Sequence, residues 1–248
     1  MINDETRRKL RELNLSETID FIDDMDRDVS YISLSFDERI QRLVDYLYQE
    51  KFNGKVQRLI RLSKFRIARA DIHDFLYLDR GIDRQVIQEL ATCQFLENYS
   101  NIVCQGFTGS GKTFLACAIG RQACRRGVRT RYVRIPDLLV ERDEASIMPK
   151  GLTKLLRKYA KYELLILDEW LLDTMAEDEQ HFLFELMERR YDKASTIFCT
   201  QYRKTDWHSR LGGGVHADAI MDRIVHNAVW IDSGTKNMRE LESKKRLT

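Results

Sequence analysis

The sequence predicts an α/β protein: a phosphate-loop domain with a parallel sheet and helices on both faces, preceded by a small all-helical domain. Three observations predict it. Residues 106–113 read Gly-Phe-Thr-Gly-Ser-Gly-Lys-Thr, the complete G-x-x-x-x-G-K-[ST] loop. Residues 164–169, Leu-Leu-Ile-Leu-Asp-Glu, form an apolar run ending in two acids. From residue 85 onward, short apolar runs alternate with segments of helical periodicity, the pattern of a parallel sheet, whereas residues 1–78 carry no strand signal.

In the first part, Leu10, Leu13 and Leu15 begin a short helix, with Ile19, Phe21 and Ile22 in or near its continuation. Between Phe36 and Ser63, apolar residues recur mostly three and four apart, which predicts one amphipathic helix or two, with Gly54 as the weak point. Residues 72–84 are polar, aromatic and broken by Gly81, and read as a linker. The expected domains are therefore 1–78 and 79–248.

In the second part the expected order is helix 85–97, strand 101–105, the phosphate loop, helix 112–126 and strand 130–134. Helices near 136–143 and 151–161 follow, then strand 163–167, helix 177–192, strand 195–200, helix 215–227 and strand 228–232. Gly127 is a suitable cap for the helix after the loop. The phosphate loop thus lies between a strand and a helix, the context its chemistry requires.

That chemistry is phosphate binding. Gly106, Phe107, Thr108, Gly109, Ser110 and Gly111 offer backbone N–H groups to phosphate oxygens, and the following helix adds its positive end through Lys112, Thr113 and Phe114. Lys112 reaches the β- and γ-phosphates of ATP, and Thr113 offers its hydroxyl to Mg²⁺. Asp168 closes a buried strand at the sheet edge where ligands bind, and its carboxylate suits Mg²⁺. Glu169 beside it can polarise an attacking water. Two acids after a strand are by themselves a solvated turn; behind a phosphate loop they mark an ATPase that hydrolyses ATP to ADP and phosphate.

Composition narrows the setting. The chain has 248 residues, 43% hydrophobic and 32% charged, enough for one medium α/β domain and a smaller piece. It has no apolar stretch of about 18 residues, so no membrane partner is expected. The amino terminus, MINDETRRKL, lacks the apolar core of a signal peptide. Five cysteines at irregular spacing argue against a disulfide framework and for packing thiols, which implies a cytoplasmic protein. Cys104 and Cys199 fall in buried strands, and Cys117 and Cys124 on the helix after the loop.

Net charge is only +2, but the charge is clustered. Lys51, Lys55, Arg58, Arg61, Lys64, Arg66 and Arg69 fall in a stretch without an acid. Residues 121–134 carry six arginines, Arg125, Arg126 and Arg129 among them, and no acid. Residues 150–161 are a third such run. One run is ordinarily a solvated helix face; three unbalanced runs point to a nucleic-acid backbone. Gly212-Gly213-Gly214 lacks the Lys-Ser/Thr of a second phosphate loop and reads as a flexible connection. Asp218, Asp222 and His226 share a helix face, where hydrogen bonding is expected rather than a metal. Trp170 and Trp207 are expected to pack near the site.

The phosphate loop, the acid pair, Cys199-Thr200-Gln201, the run Ala219-Ile220-Met221-Asp222-Arg223-Ile224-Val225-His226-Asn227-Ala228 and Asn237-Met238-Arg239 occur in that order. Together they resemble the IstB-type helper ATPases of insertion-sequence transposons, relatives of the DnaC-type helicase loaders within the AAA+ initiator clade. Phe36-Asp37-Glu38-Arg39-Ile40 and the basic segment after it match that family's helical domain. The resemblance implies an AAA+ fold without a separate lid domain and a homo-oligomer with ATP at subunit interfaces. It places Arg223 at the arginine-finger position, Arg239 at the sensor arginine and Gln201 at the polar sensor after the fourth strand. Many relatives carry Asn at that last position. From spacing alone, Arg223 equally suits a salt bridge with Asp222 or Asp218.

The reading is an ATP-dependent helper that oligomerises on duplex DNA and recruits or activates a transposase. A helicase loader would instead prefer single strands and bind a hexameric helicase. A small-molecule kinase would need a lid, for which the sequence offers no candidate, and a DNA-bending protein would keep the ATP site for assembly alone.

Overall fold

The computed structural model describes residues 2–77, 81–234, 236–238 and 240. The chain forms two compact units, Met1–Arg58 and Leu59–Thr248.

The first unit is helical. Helix α1 (Asp4–Glu12) is capped by Asn3, whose side chain accepts from the Thr6 N–H, and Asp4 and Glu5 meet the positive end of the helix. Arg7 on α1 donates to Asp23 on α2 (Ser16–Arg27) at 2.9 Å. Ile19 and Phe21 are buried, and the Phe21 ring lies 5.0 Å from that of Tyr46. Helix α3 (Phe36–Ser63) opens with reciprocal capping: the Ser35 N–H donates to Glu38 at 2.7 Å and the Glu38 N–H to Ser35 Oγ at 3.3 Å. It runs through Gly54 unbroken. One exposed glycine costs only about 1 kcal/mol, less than a long helix gains.

The unit boundary falls inside α3, at Arg58, earlier than the boundary at 78 drawn from the sequence. Phe65, Ala70, Ile72 and Phe75 are buried in the second unit's core, so residues 65–75, including the first part of the expected linker, are packed structure. Residues 78–80 lie outside the described residues.

The second unit is built on a five-stranded parallel sheet. Its strands are β1 (Asn101–Gln105), β2 (Thr130–Arg134), β3 (Leu164–Trp170), β4 (Ser195–Thr200) and β5 (Ala228–Asp232), in the order β2-β3-β4-β1-β5. Successive side chains alternate between faces. Ile102, Cys104, Ile166 and Ile197 face one core with α5 (Lys112–Arg125) and residues 65–75. Val103, Leu165, Leu167 and Phe198 face the other core with Trp170 and Trp207. Both faces of β1, β3 and β4 are buried, which is why the middles of these strands read as apolar runs. All five cysteines are free and buried, as packing thiols.

Between β2 and β3 lie α6 (Ile135–Ser146) and α7 (Gly151–Ala160), and α8 (Glu177–Arg190) precedes β4. The expected helix 85–97 is shorter: α4 (Arg84–Ala91) ends before Cys93, whose φ of 59° breaks it, and a 3-10 turn follows at Gln94–Leu96. A helix the sequence reading missed, α9 (Lys204–Arg210), carries Trp207, which is 0% exposed, and leads to α10 (Gly214–Val225). Strand β3 extends three residues past its expected end. Leu167 pairs with Phe198 and Trp170 with Thr200, so β3 holds one extra residue there, and Glu169 in that bulge has a φ of 60°. No helix of the described residues is long and apolar enough to cross a membrane.

Candidate nucleotide site

The loop after β1 crosses the carboxyl edge of the sheet and enters α5. Gly106, Gly109 and Gly111 adopt φ values of 149°, 83° and 91°, a backbone that residues with a Cβ adopt only under strain. A Cβ on Gly106 would stand 2.8 Å from Ser110 Oγ. The loop wraps Lys112, which is 9% exposed and donates from Nζ to the Gly106 and Phe107 carbonyls, each at 2.7 Å. An ammonium so desolvated, at a helix amino terminus, is a receptor for an anion.

Thr113 and Asp168 meet at the mouth of the loop, with the Thr113 hydroxyl donating to Asp168 Oδ2 at 2.9 Å. Tyr132 on β2 donates to the same oxygen at 2.7 Å. Burial and the Asp168 charge push the Tyr132 phenol well above its ordinary value, so it stays protonated and donates. A hydroxyl beside a carboxylate is the hard oxygen pair that Mg²⁺ takes, and the residues present fit that ion.

Glu169 is held differently. Arg134, at the end of β2, donates to its Oε2 from Nε at 2.9 Å and from Nη2 at 2.6 Å. Arg66 donates to its Oε1 at 3.2 Å. Hydrogen bonding from Arg134, with help from Arg66, holds the Glu169 carboxyl below its ordinary range. The bulge in β3 turns Glu169 toward this pair. Gln201 accepts from Thr108 Oγ1 at 2.9 Å, so the residue after β4 touches the phosphate loop.

Two cavities flank the loop. One, of about 240 Å³, is lined by Arg66, Lys112, Thr113, Asp168, Glu169 and Gln201. The other, of about 150 Å³, has apolar walls from Ile67, Phe75, Phe114 and Met238 beside Lys112 and Thr113. The Met238 N–H donates to the Gly109 carbonyl at 2.9 Å, which seats Met238 against the loop. Phe107 is 64% exposed.

Other residues singled out in the sequence lie elsewhere. Arg223 on α10 is ion-paired to Glu188, donates to the Ala219 carbonyl at 2.9 Å and lies over the Phe184 ring. Its backbone carbonyl meets Asn101, at the start of β1, whereas the phosphate loop follows the end of that strand. It does not join Lys112 within one chain. Arg239 lies outside the described residues. His226 pairs with Asp222 and His208 with Asp218, and no metal-binding group of three ligands occurs among the described residues.

The basic run at 121–134 is partly consumed by the fold. Arg121 donates to the Ala70 carbonyl, Arg125 pairs with Asp71, Arg131 donates to the Leu62 carbonyl and Arg134 holds Glu169. Arg126 and Arg129 are exposed. Lys51, Lys55, Arg58, Arg61, Lys64 and Arg69 are exposed as well; Arg66 is also exposed but donates to Glu169. The sequence reading did not single out Tyr132, Arg134, Ile67 or Phe75 as site residues. Their role depends on contacts between distant segments, and no local pattern announces it.

Residues 8–246 match the family described as IstB-like ATP binding protein. A putative insertion sequence ATP-binding protein of Sinorhizobium fredii, y4pL, is 33% identical over 216 residues, covering 86% of each chain. The insertion sequence IS21 putative ATP-binding protein of Pseudomonas aeruginosa is 33% identical, covering 79% of this chain and 76% of its own. Among solved structures, AMPPCP-bound DnaA from Aquifex aeolicus superimposes with a TM-score of 0.61 at 19% identity. The match covers 72% of this chain and 64% of that longer one. The DnaC helicase loader superimposes with a TM-score of 0.53 at 20% identity, covering 65% of this chain and 96% of that one. At these identities the solved structures establish the fold alone, one shared with DnaA and the DnaC helicase loader. The family match over nearly the whole length, with a phosphate loop of this geometry, makes the chain a member of the IstB-like ATP-binding proteins of insertion sequences.

Proposed function

We propose that this protein is an ATPase that assembles on duplex DNA and recruits or activates a transposase, with hydrolysis controlling the assembly. The observation that carries the ATPase reading is the meeting of Thr113 and Asp168 at the mouth of a loop wrapped around Lys112. Lys112 and the loop N–H groups bind the phosphates, and the apolar cavity beside Phe114 accepts the base. Mg²⁺, when bound, would be held through Thr113 and Asp168 and would neutralise phosphate charge. Glu169 orients water and accepts its proton. Gln201 holds the loop through Thr108 and faces the same cavity. Arg223 stands away from its own chain's site, which suits a group supplied to a neighbouring subunit in a homo-oligomer. Arg239, in the matching sensor position, is proposed to contact the γ-phosphate.

The insertion-sequence names of the relatives support the transposition setting. The exposed Lys51, Lys55, Arg58, Arg61, Lys64 and Arg69 supply the sequence-independent phosphate contacts, with Arg126 and Arg129 as a second group. Electron microscopy with Mg²⁺-ATP and either duplex or single-stranded DNA tests the whole reading. ATP-dependent oligomers on duplex DNA are expected. Assemblies on single strands alone, or none on either, would overturn it, and the former would favour a helicase loader.

A further inference from the structure

Arg66 comes from outside the phosphate loop and the acid pair, yet its neighbours pack against the loop helix and beside the loop. Lys64 before it has a φ of 52°, which turns the chain sharply at the end of α3. Phe65 is buried against the loop helix, so close that a Cβ on Gly120 would stand 2.7 Å from its ring. Ile67 on the other side lines the apolar cavity. Between these anchors the Arg66 side chain lines the cavity shared with Lys112 and Thr113. It gives Glu169 one hydrogen bond of 3.2 Å and remains 46% exposed, whereas Arg134 grips the other oxygen twice.

We propose that Arg66 is a phosphate-contacting residue supplied by its own chain, shared between Glu169 and the terminal phosphate of a bound nucleoside triphosphate. The weaker of the two arginine contacts on Glu169 is the one whose guanidinium faces the phosphate cavity. A terminal phosphate carries more charge than a carboxylate and offers three oxygens to the guanidinium fork. Triphosphate binding therefore draws Arg66 off Glu169 and frees Oε1 to accept a water proton, while Arg134 keeps the carboxylate oriented. A diphosphate has no group to compete for Arg66, and Glu169 stays doubly held. This rests on the reading of Glu169 as the water-orienting base.

Equilibrium binding tests it without turnover, using a fluorescent non-hydrolysable ATP analogue and ADP, each with Mg²⁺, on the full chain. Arg66→Ala is expected to weaken the analogue by about tenfold while ADP changes by less than about twofold, the worth of one charged hydrogen bond set. Arg66→Lys, which keeps the charge but loses the fork, should fall between. Glu169→Ala removes the competitor and should tighten the analogue, and this gain should vanish in the Arg66→Ala/Glu169→Ala double variant. Equal losses for both nucleotides, no loss for either, or a Glu169→Ala gain that survives without Arg66 would each overturn the proposal. The base reading fails separately, if Glu169→Gln turns ATP over at the parent rate.

Discussion

Arg134 and Glu169 form a two-bond ion pair, Nε at 2.9 Å and Nη2 at 2.6 Å from Oε2, between the ends of adjacent strands β2 and β3. The pair exists because the extra residue in β3 turns Glu169 sideways. A strand continuing in regular register would keep the alternation of faces, so the acid's aim is a product of the bulge.

Glu169→Gln is expected to bind ATP like the parent and to lower turnover by about two to four decades, since a carboxamide cannot accept the water proton. DNA-bound assemblies should accumulate in the variant. Single-turnover phosphate release measures the rate; parent-like release would remove Glu169 from this role.

Arg223→Ala is expected to lower hydrolysis by about three decades, the scale of an arginine supplied between subunits. Because Arg223 lies away from its own chain's loop, mixing this variant with Lys112→Ala should restore part of the activity. Folded mixtures that show no rescue would argue against a shared site.

Replacing Arg58, Arg61 and Lys64 with Glu should weaken binding to duplexes of unrelated sequence about equally and flatten the salt dependence, because fewer counterions are released. Fluorescence anisotropy on two duplexes across a salt series reads both effects. Unchanged affinity would move the contact to Arg126 and Arg129, the exposed part of the second basic run. Hydrolysis without DNA should survive the change.

Gly120→Ala sets two effects against each other. Helix propensity favours alanine by about 1 kcal/mol. The added Cβ would meet Phe65 at 2.7 Å and Ile166 at 2.8 Å, and overpacking of a core costs about 1–3 kcal/mol. Packing should win, lowering the urea midpoint. A higher midpoint would show that the Phe65 ring yields.

The sequence by itself determined the phosphate loop, the acid pair and the α/β alternation. The expected strands 101–105, 130–134, 195–200 and 228–232 coincide with β1, β2, β4 and β5. These features are written locally, in glycine positions, in apolar runs buried on both faces and in helical spacing. Only the tertiary structure decided what the charges do. Arg66 reaches Glu169 across 103 residues, Gln201 meets Thr108 across 93, and Arg125 is taken up by Asp71 across 54. A run of arginines in sequence is one electrostatic feature, but in the fold its members point to different sides of a strand or helix and find different partners. Which arginine stays exposed and which holds the acid depends on strand order and on one extra residue in β3. Neither the order nor the bulge is set by neighbours along the chain, because both are decided by packing between segments far apart in it.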